Sequence, residues 1–164
     1  EFVGQFLSLK GKFKTNADYA EKTVEELFNL FDTKPSDPLM VDQFASVYFE
    51  NSGDNKFKVR QLPWEIQTSK IFSMHKGDFN EDGQIDVLLG GNYRGGSVYQ
   101  GSYDASIGSL LQEDGKGSFT PIPFPLSGVN FQGEVRDIKT IKTRMGVRYL
   151  ISKNNGAIQI LKVR

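Results

Sequence analysis

The sequence predicts a mainly β fold of antiparallel sheets with one amphipathic helix near the N-terminus. Two observations carry this prediction. The 164 residues include 17 Gly, 13 Phe and 6 Tyr, a composition that favours short strands joined by glycine-containing turns over a helical bundle. After Pro38 the apolar residues follow a strand pattern, whereas helical spacing is found only before it.

The predicted helix runs from Asn16 to Phe31. Its apolar residues recur at helical spacing, and acidic and basic residues fill the other face; the apolar set is Ala20, Val24, Leu27, Phe28 and Phe31. Asn16 is a good N-cap, and Pro35 and Pro38 end the pattern. We expect this helix to pack against a sheet, with a partner-binding helix as the alternative.

A strand, a turn rich in Asn, Asp or Gly, and a second strand occur together three times. These hairpins cover residues 46–59, 109–119 and 149–160, and their turn residues tolerate positive φ. Further strands are expected at 71–75, 85–89 and 135–141. Repeated antiparallel units of this size are typical of propeller blades.

This order of strands predicts the organisation of the chain. Residues 1–40 form an N-terminal extension with the helix, and residues 41–164 form the β-repeat region. Within that region we expect a half unit, a full four-stranded unit and a shorter final unit, at 44–62, 70–124 and 133–163.

Charge and composition exclude several classes of function. Acidic and basic residues balance at 20 each, which argues against the electrostatic attraction that nucleic-acid binding relies on. The absence of cysteine excludes disulfides and thiolate metal sites. No apolar stretch approaches the roughly 20 residues that a membrane helix needs, so no membrane span is predicted. Because the chain begins with Glu1 and not Met, we expect a piece of a longer precursor.

One acidic loop between two predicted strands has the pattern of a calcium site. Oxygen-bearing side chains stand at positions 1, 3, 5 and 9 of residues 78–86, namely Asp78, Asn80, Asp82 and Asp86. Gly83 allows the sharp turn, and the carbonyl of Gln84 lies at position 7. Ca²⁺ takes six to eight oxygen ligands, and three converging carboxylates would repel one another without a cation. The predicted metal ligands are therefore Asp78, Asn80, Asp82, Gln84 and Asp86.

The loop differs from an EF-hand at its end. The position of the bidentate Glu of an EF-hand holds Leu89, within an apolar run. Ile85, Val87 and Leu89 alternate as in a strand, so strands and not helices flank the loop. The alternative is a polar surface turn that holds no metal.

Residues 77–91 resemble the FG-GAP or VCBS repeat of β-propellers, including those of integrin α-chains. The wider pattern is similar to the C-terminal part of large secreted bacterial VCBS-repeat proteins, through the segments 48–51, 101–106, 114–119, 133–137 and 153–156. This resemblance implies a partial β-propeller of blade-like sheets, with calcium bound between the first two strands of a blade. It also implies an extracytoplasmic location.

The resemblance also sets expectations about partners. Residues 136–138 stand where the final unit would hold its own loop, but the following carboxylates are missing, so no second calcium site is expected. Too few units are present to close a ring. We therefore expect association with the remaining blades of a parent chain or with a second copy, together with binding or adhesion to a protein or glycan.

Catalysis is not expected, because no acid, base or nucleophile set is evident. The lone His75 lies on a predicted strand and fits a structural role better than that of a base. Glu134 with Asp137, or Asp104 with Glu113, could in principle form the carboxylate pair of glycoside hydrolysis, but nothing in the sequence places either pair at a suitable separation. The second functional hypothesis is an accessory domain of a polysaccharide-handling enzyme, whose active site lies elsewhere in the parent protein or is hidden in this chain.

Basic residues follow Asp137 without an intervening acid. They are Lys139, Lys142, Arg144, Arg148, Lys153, Lys162 and Arg164. This pattern is typical of solvent-exposed strand faces, whose charges discourage pairing with another strand edge. The alternative is a basic strip that binds a polyanion.

Overall fold

The structure is a computed structural model that describes residues 11–30 and 39–162. The chain divides into two compact units, Glu1–Gln43 and Phe44–Arg164. The described residues contain nine strands in three antiparallel sheets and a few short helices. The predicted mainly β class with antiparallel sheets is confirmed.

The single long helix that we predicted is wrong, because two short helices take its place. Helix α1 covers Asn16–Ala20 and α2 covers Val24–Phe28. The cap of α1 is Thr15 and not Asn16. A second capping box interrupts the predicted helix: the hydroxyl of Thr23 accepts a hydrogen bond from the backbone of Glu26, whose side chain accepts one from the backbone of Thr23.

Within the first unit, Leu27 is the buried residue of these two helices. The predicted helix end at Phe31 and the stops at Pro35 and Pro38 lie outside the described residues. That the helical segment packs against a sheet stays a prediction.

The first sheet is the hairpin of β1 (Val47–Asn51) and β2 (Phe57–Gln61). Its turn places Gly53, Asp54 and Asn55 at positive φ, as the composition of the turn predicted. This first hairpin is confirmed.

The second sheet has four strands in the order β3-β4-β5-β6. They are β3 (Ile71–Gly77), β4 (Asp86–Gly91), β5 (Ser109–Glu113) and β6 (Phe119–Ile122). The acidic loop joins β3 to β4. Short helices flank these strands: two 3-10 helices at Trp64–Thr68 and Val98–Gln100, and α3 at Phe124–Ser127.

The third sheet has three strands in the order β7-β8-β9. They are β7 (Glu134–Thr143), β8 (Gly146–Asn154) and β9 (Gln159–Leu161). The second and third predicted hairpins, formed by β5 with β6 and by β8 with β9, are thereby confirmed.

The main core involves residues of the second and third sheets. It contains Phe79, Leu88, Val129, Phe131, Val135, Ile138 and Ile151. Leu89, which follows the core residue Leu88 on β4, belongs to a second cluster with Ile66 and Leu111. Strand β4 therefore buries apolar side chains on both of its faces, as expected for a strand in a sheet that is covered on both sides.

The sheets contain two, four and three strands, and the described residues form no closed ring. Consecutive antiparallel sheets are what the structure establishes. The propeller remains a proposal.

Candidate metal centre

The acidic loop is wrapped around the carboxylate of Asp78. One oxygen of Asp78 accepts a hydrogen bond from the backbone N–H of Asp82 at 3.1 Å, and the other accepts one from Gly83 at 2.9 Å. This curl requires positive φ at Glu81 and Gly83, which have φ of 62° and 85°. Glycine is the residue that adopts this conformation without steric cost.

Asn80 and Asp82 contact each other inside the curl. The amide of Asn80 donates to the Asp82 carboxylate at 2.7 Å, and the backbone N–H of Gln84 donates to its other oxygen at 2.8 Å. The Gln84 backbone bond and then the Asn80 amide lower the pKa of Asp82, because both favour the ionised form. Gln112 on β5 reaches the same carboxylate at 3.4 Å.

Asp86 closes the loop and opens β4. Its side chain is almost completely buried, with 1% of its surface exposed. Its two oxygens accept hydrogen bonds from the backbone N–H groups of Phe79 at 3.2 Å and Glu113 at 3.3 Å. Both bonds are long for a carboxylate acceptor, and a carboxylate has further lone pairs to offer. A buried carboxylate of this kind fits a cation partner.

The predicted ligands share this loop, and two of them, Asn80 and Asp82, are hydrogen-bonded to each other. Across residues 11–30 and 39–162, no three His, Cys, Asp or Glu side chains come together in a group that could hold a metal. Asp78 and Asp82 instead accept hydrogen bonds from the loop backbone. The donor set consists of oxygen atoms, which suits a hard cation, and the calcium site stays a prediction.

Sequence reasoning missed the residue that anchors the loop. Phe79 lies between the first two predicted ligands, yet it is 8% exposed and belongs to the main core. Its ring centroid is 5.2 Å from that of Tyr149 on β8. The sequence did contain a signal for this anchor, because Phe79 is an aromatic residue inside an otherwise polar loop. A large apolar side chain in such a loop is expected to be buried against the core.

A second unpredicted feature is the buried amide of Asn92, just after β4. It is 2% exposed and has a positive φ of 79°. Its amide nitrogen donates to the carbonyls of Ser106 at 2.7 Å and Gly133 at 3.0 Å, and its oxygen accepts from Ser69 at 2.8 Å. One side chain thus joins the end of β4, the loop before β5 and the start of β7.

Glu134, one of the carboxylates considered for catalysis, fastens β7 to its surroundings. It accepts hydrogen bonds from the Arg94 backbone at 2.9 Å, from Arg136 at 2.8 Å and from Asn154 at 3.1 Å. The Arg94 bond is the largest of the causes that lower the pKa of Glu134. With this many donors, Glu134 is held as an ionised structural acceptor.

The remaining carboxylates of those pairs also have structural partners. Asp104 pairs with Arg94 at 3.2 Å, and Asp137 pairs with Lys139 at 3.4 Å. Glu113 accepts a hydrogen bond from a backbone N–H in the turn before β6 at 2.6 Å.

His75 lies between the second and third sheets. Its Nε2 is 2.7 Å from the hydroxyl of Thr140 on β7. Its ring meets that of Tyr149 edge to face, with centroids 5.2 Å apart. These contacts agree with a structural role for the strand histidine.

A cavity of about 600 Å³ opens beside the acidic loop. Asn80, Asp86 and Gln112 line its polar part, and Leu110, Ile122 and Leu161 are among the apolar residues around it. This volume is within the range of small-molecule pockets.

Comparison with protein-family models, with curated proteins and with solved structures finds no match to this chain. In the part of the chain that the structure describes, no helix is long and apolar enough to cross a membrane.

Proposed function

We propose that this chain is a calcium-stabilised binding or structural module, a partial FG-GAP/VCBS-like propeller that works outside the cytoplasm. The observation that carries the proposal is the burial of Asp86 at the end of the acidic loop, with 1% of its surface exposed. Burying an ionised carboxylate is costly even when both of its oxygens accept backbone hydrogen bonds, and a divalent cation bound in the adjoining loop would offset that cost.

The ion would be held by the oxygen atoms of Asp78, Asn80, Asp82, Gln84 and Asp86. Bound calcium would supply positive charge among the carboxylates. Its proposed role is structural, so the site needs no catalytic group. The curl around Asp78 already gathers the loop through bonds from Asp82 and Gly83. Less conformational entropy is then lost when the loop closes around an ion.

Direct titration tests the site. Isothermal titration calorimetry of the chelator-treated chain should show one calcium per chain, with magnesium binding more weakly because it requires a tighter octahedral set of ligands. The Asp86→Asn variant keeps the size of the side chain and removes its charge, so its calcium affinity should fall. Equal calcium affinity for the variant and the unmodified chain would contradict the assignment.

Glycan is supported as one ligand class by an aromatic cluster formed by Phe72 of β3 and by Tyr93 and Tyr103, which pair in an isolated bridge outside the strands. Phe72 and Tyr103 are 45% and 42% exposed, and the Phe72 ring stacks on Tyr93 at a centroid distance of 6.0 Å. The Lys70 ammonium lies 4.9 Å and 4.5 Å from the Tyr93 and Tyr103 centroids. Aromatic rings with an adjacent cation present both an apolar surface and a charge to a ligand.

Binding and turnover separate the two functional hypotheses. The chain should be retained on an immobilised acidic polysaccharide, and Tyr103→Ala should weaken retention, without release of reducing sugar. Release of reducing sugar by the chain would favour the polysaccharide-handling enzyme instead. Val98→Ala, at a side chain that is 95% exposed, is the control for nonspecific surface effects.

A further inference from the structure

Two cations lie against the aromatic cluster. The guanidinium of Arg136 lies 4.4 Å from the centroid of Phe72, and the Lys70 ammonium lies 4.9 Å and 4.5 Å from the centroids of Tyr93 and Tyr103. A cation over an aromatic ring is attracted by the negative face of the ring. The exposed rings of the cluster therefore have positive charge beside them.

The cations in this part of the surface differ in their acidic partners. Arg136 pairs with Glu134 at 2.8 Å, and Arg94 pairs with Asp104 at 3.2 Å. Among residues 11–30 and 39–162, no carboxylate forms an ion pair with the ammonium of Lys70, and its side chain is exposed. An anionic ligand can therefore pair with Lys70 without first breaking an ion pair within the protein.

Buried hydrogen bonds hold the backbone from which these side chains project. The backbone N–H of Asn92 donates to the carbonyl of Lys70 at 3.0 Å, and Tyr93 and Tyr103 exchange two backbone hydrogen bonds at 2.7 Å and 2.9 Å. The buried hydroxyl of Ser69 lies 3.0 Å from the carbonyl of Tyr103. Because this backbone is fixed before a ligand arrives, less conformational entropy is lost when the ligand binds.

Rings next to one unpaired ammonium fit a sugar that carries an acidic group. The C–H face of a pyranose can stack on an aromatic ring, which offers it an apolar surface. A nucleic acid fits less well, because its affinity comes from many phosphate contacts. Here Lys70 is the cation without an acidic partner, and the carboxylates of Asp104 and Glu134 lie close by.

We propose that Lys70, Tyr93 and Tyr103 bind a sugar unit that carries one acidic group, either a carboxylate or a sulfate ester. The rings stack on the sugar, and Lys70 pairs with its acid. Lys70 is therefore the residue that selects acidic over neutral sugars. This assignment rests on the glycan ligand class of the proposed function and is independent of the calcium site.

Three hexasaccharide probes test the assignment by titration calorimetry. Hyaluronan carries carboxylates, keratan sulfate carries sulfate esters, and carboxyl-reduced hyaluronan is neutral. At least one acidic probe should bind the unmodified chain about threefold to fivefold more tightly than the neutral probe, which is the effect of one exposed ion pair. The acidic probe that binds more tightly identifies the acid. Equal binding of all three probes would overturn the role of Lys70.

Variants separate charge recognition from stacking. Lys70→Met keeps the aliphatic stem and removes the charge, so it should lower the affinity for the acidic probe to that for the neutral one and leave neutral binding unchanged. Tyr103→Ala should weaken both. Lys116→Met is the matched control and should bind like the unmodified chain, because the turn between β5 and β6 lies at the far end of the second sheet from the start of β3. Undiminished acid preference in Lys70→Met would contradict the proposal.

The remaining outcomes separate this assignment from the proposals on which it rests. If no probe binds, the glycan ligand class fails together with Lys70, whereas the calcium site is judged separately by calcium-dependent melting. If the neutral probe binds as tightly as the acidic ones, the glycan class stands and the role of Lys70 is wrong. A uridylate hexanucleotide should not displace the acidic probe. Displacement at equal concentration would assign the surface to nucleic acid and overturn the proposal.

Discussion

The side-chain amide of Asn92 donates a hydrogen bond to the backbone carbonyl of Gly133 at 3.0 Å. This bond joins the end of β4 to the start of β7, so one amide ties the second sheet to the third. The same side chain also bonds Ser69 and Ser106. We infer that Asn92 supports the packing of the two sheets on which the acidic loop depends.

Asn92→Ala should therefore be strongly destabilising. It removes several buried hydrogen bonds. It also places alanine, which tolerates positive φ less well than asparagine does, at a φ of 79°. We expect a loss of about 2–4 kcal/mol in the free energy of unfolding, measured by urea denaturation. Asn155→Ala is the matched control, because Asn155 also has a positive φ, of 51°, but is exposed. A similar loss in both variants would mean that backbone conformation, and not the network, sets the cost.

Gly90→Ala should also destabilise the protein, through steric conflict with β7. A Cβ at this position would lie 2.5 Å from Cγ1 of Val135, and Val135 is itself buried in the core. We expect a loss of about 1–3 kcal/mol, which is typical of overpacking. The double variant Gly90→Ala/Val135→Ala should show a favourable coupling energy, whereas Gly96→Ala, whose nearest neighbour is 3.4 Å away, should have little effect. Simple additivity of the two substitutions would contradict the proposed clash.

Glu134 should make stability depend on acid pH. Hydrogen bonds, first from the Arg94 backbone, hold the pKa of Glu134 below the ordinary glutamate value of 4.5. A group with a depressed folded-state pKa contributes stability above its unfolded pKa, and that contribution is lost as pH falls through the folded value. Urea denaturation between roughly pH 6 and pH 3 should show a flatter pH dependence for Glu134→Gln than for the unmodified chain. If the free energy of unfolding has the same pH dependence in Glu134→Gln and in the unmodified chain, Glu134 is not one of the groups that make stability depend on acid pH.

The strands were predictable because their signals are local. Alternating apolar residues bounded by Asn, Asp and Gly located β8 and β9 and the other hairpins, since a side-chain period of two and positive-φ turn residues are properties of neighbouring positions. The helix prediction failed at Thr23, where a capping box with Glu26 competes with helix continuation. That motif was readable, but the apolar spacing suggested a continuous helix.

The candidate site was predictable only in part, for a related reason. The spacing of oxygen side chains located the loop from Asp78 to Asp86, but the burial of Asp86 depends on partners far along the chain, such as Glu113. The bonds from Asn92 to Gly133 and from Arg94 to Glu134 join positions 41 and 40 residues apart. Such contacts have no local sequence signal, because they arise only after the sheets have packed together.

Calcium-dependent thermal unfolding tests the central claim most directly. Melting of the unmodified chain should shift upward with calcium relative to chelator, by the equivalent of about 2.7 kcal/mol at a calcium concentration a hundredfold above the dissociation constant. Asp82→Ala should abolish most of that shift. Glu81→Ala removes a neighbouring carboxylate that is outside the predicted ligand set, so this variant should keep the calcium-dependent shift in melting temperature. Coincident melting curves with calcium and chelator, or equal behaviour of the two variants, would contradict the account.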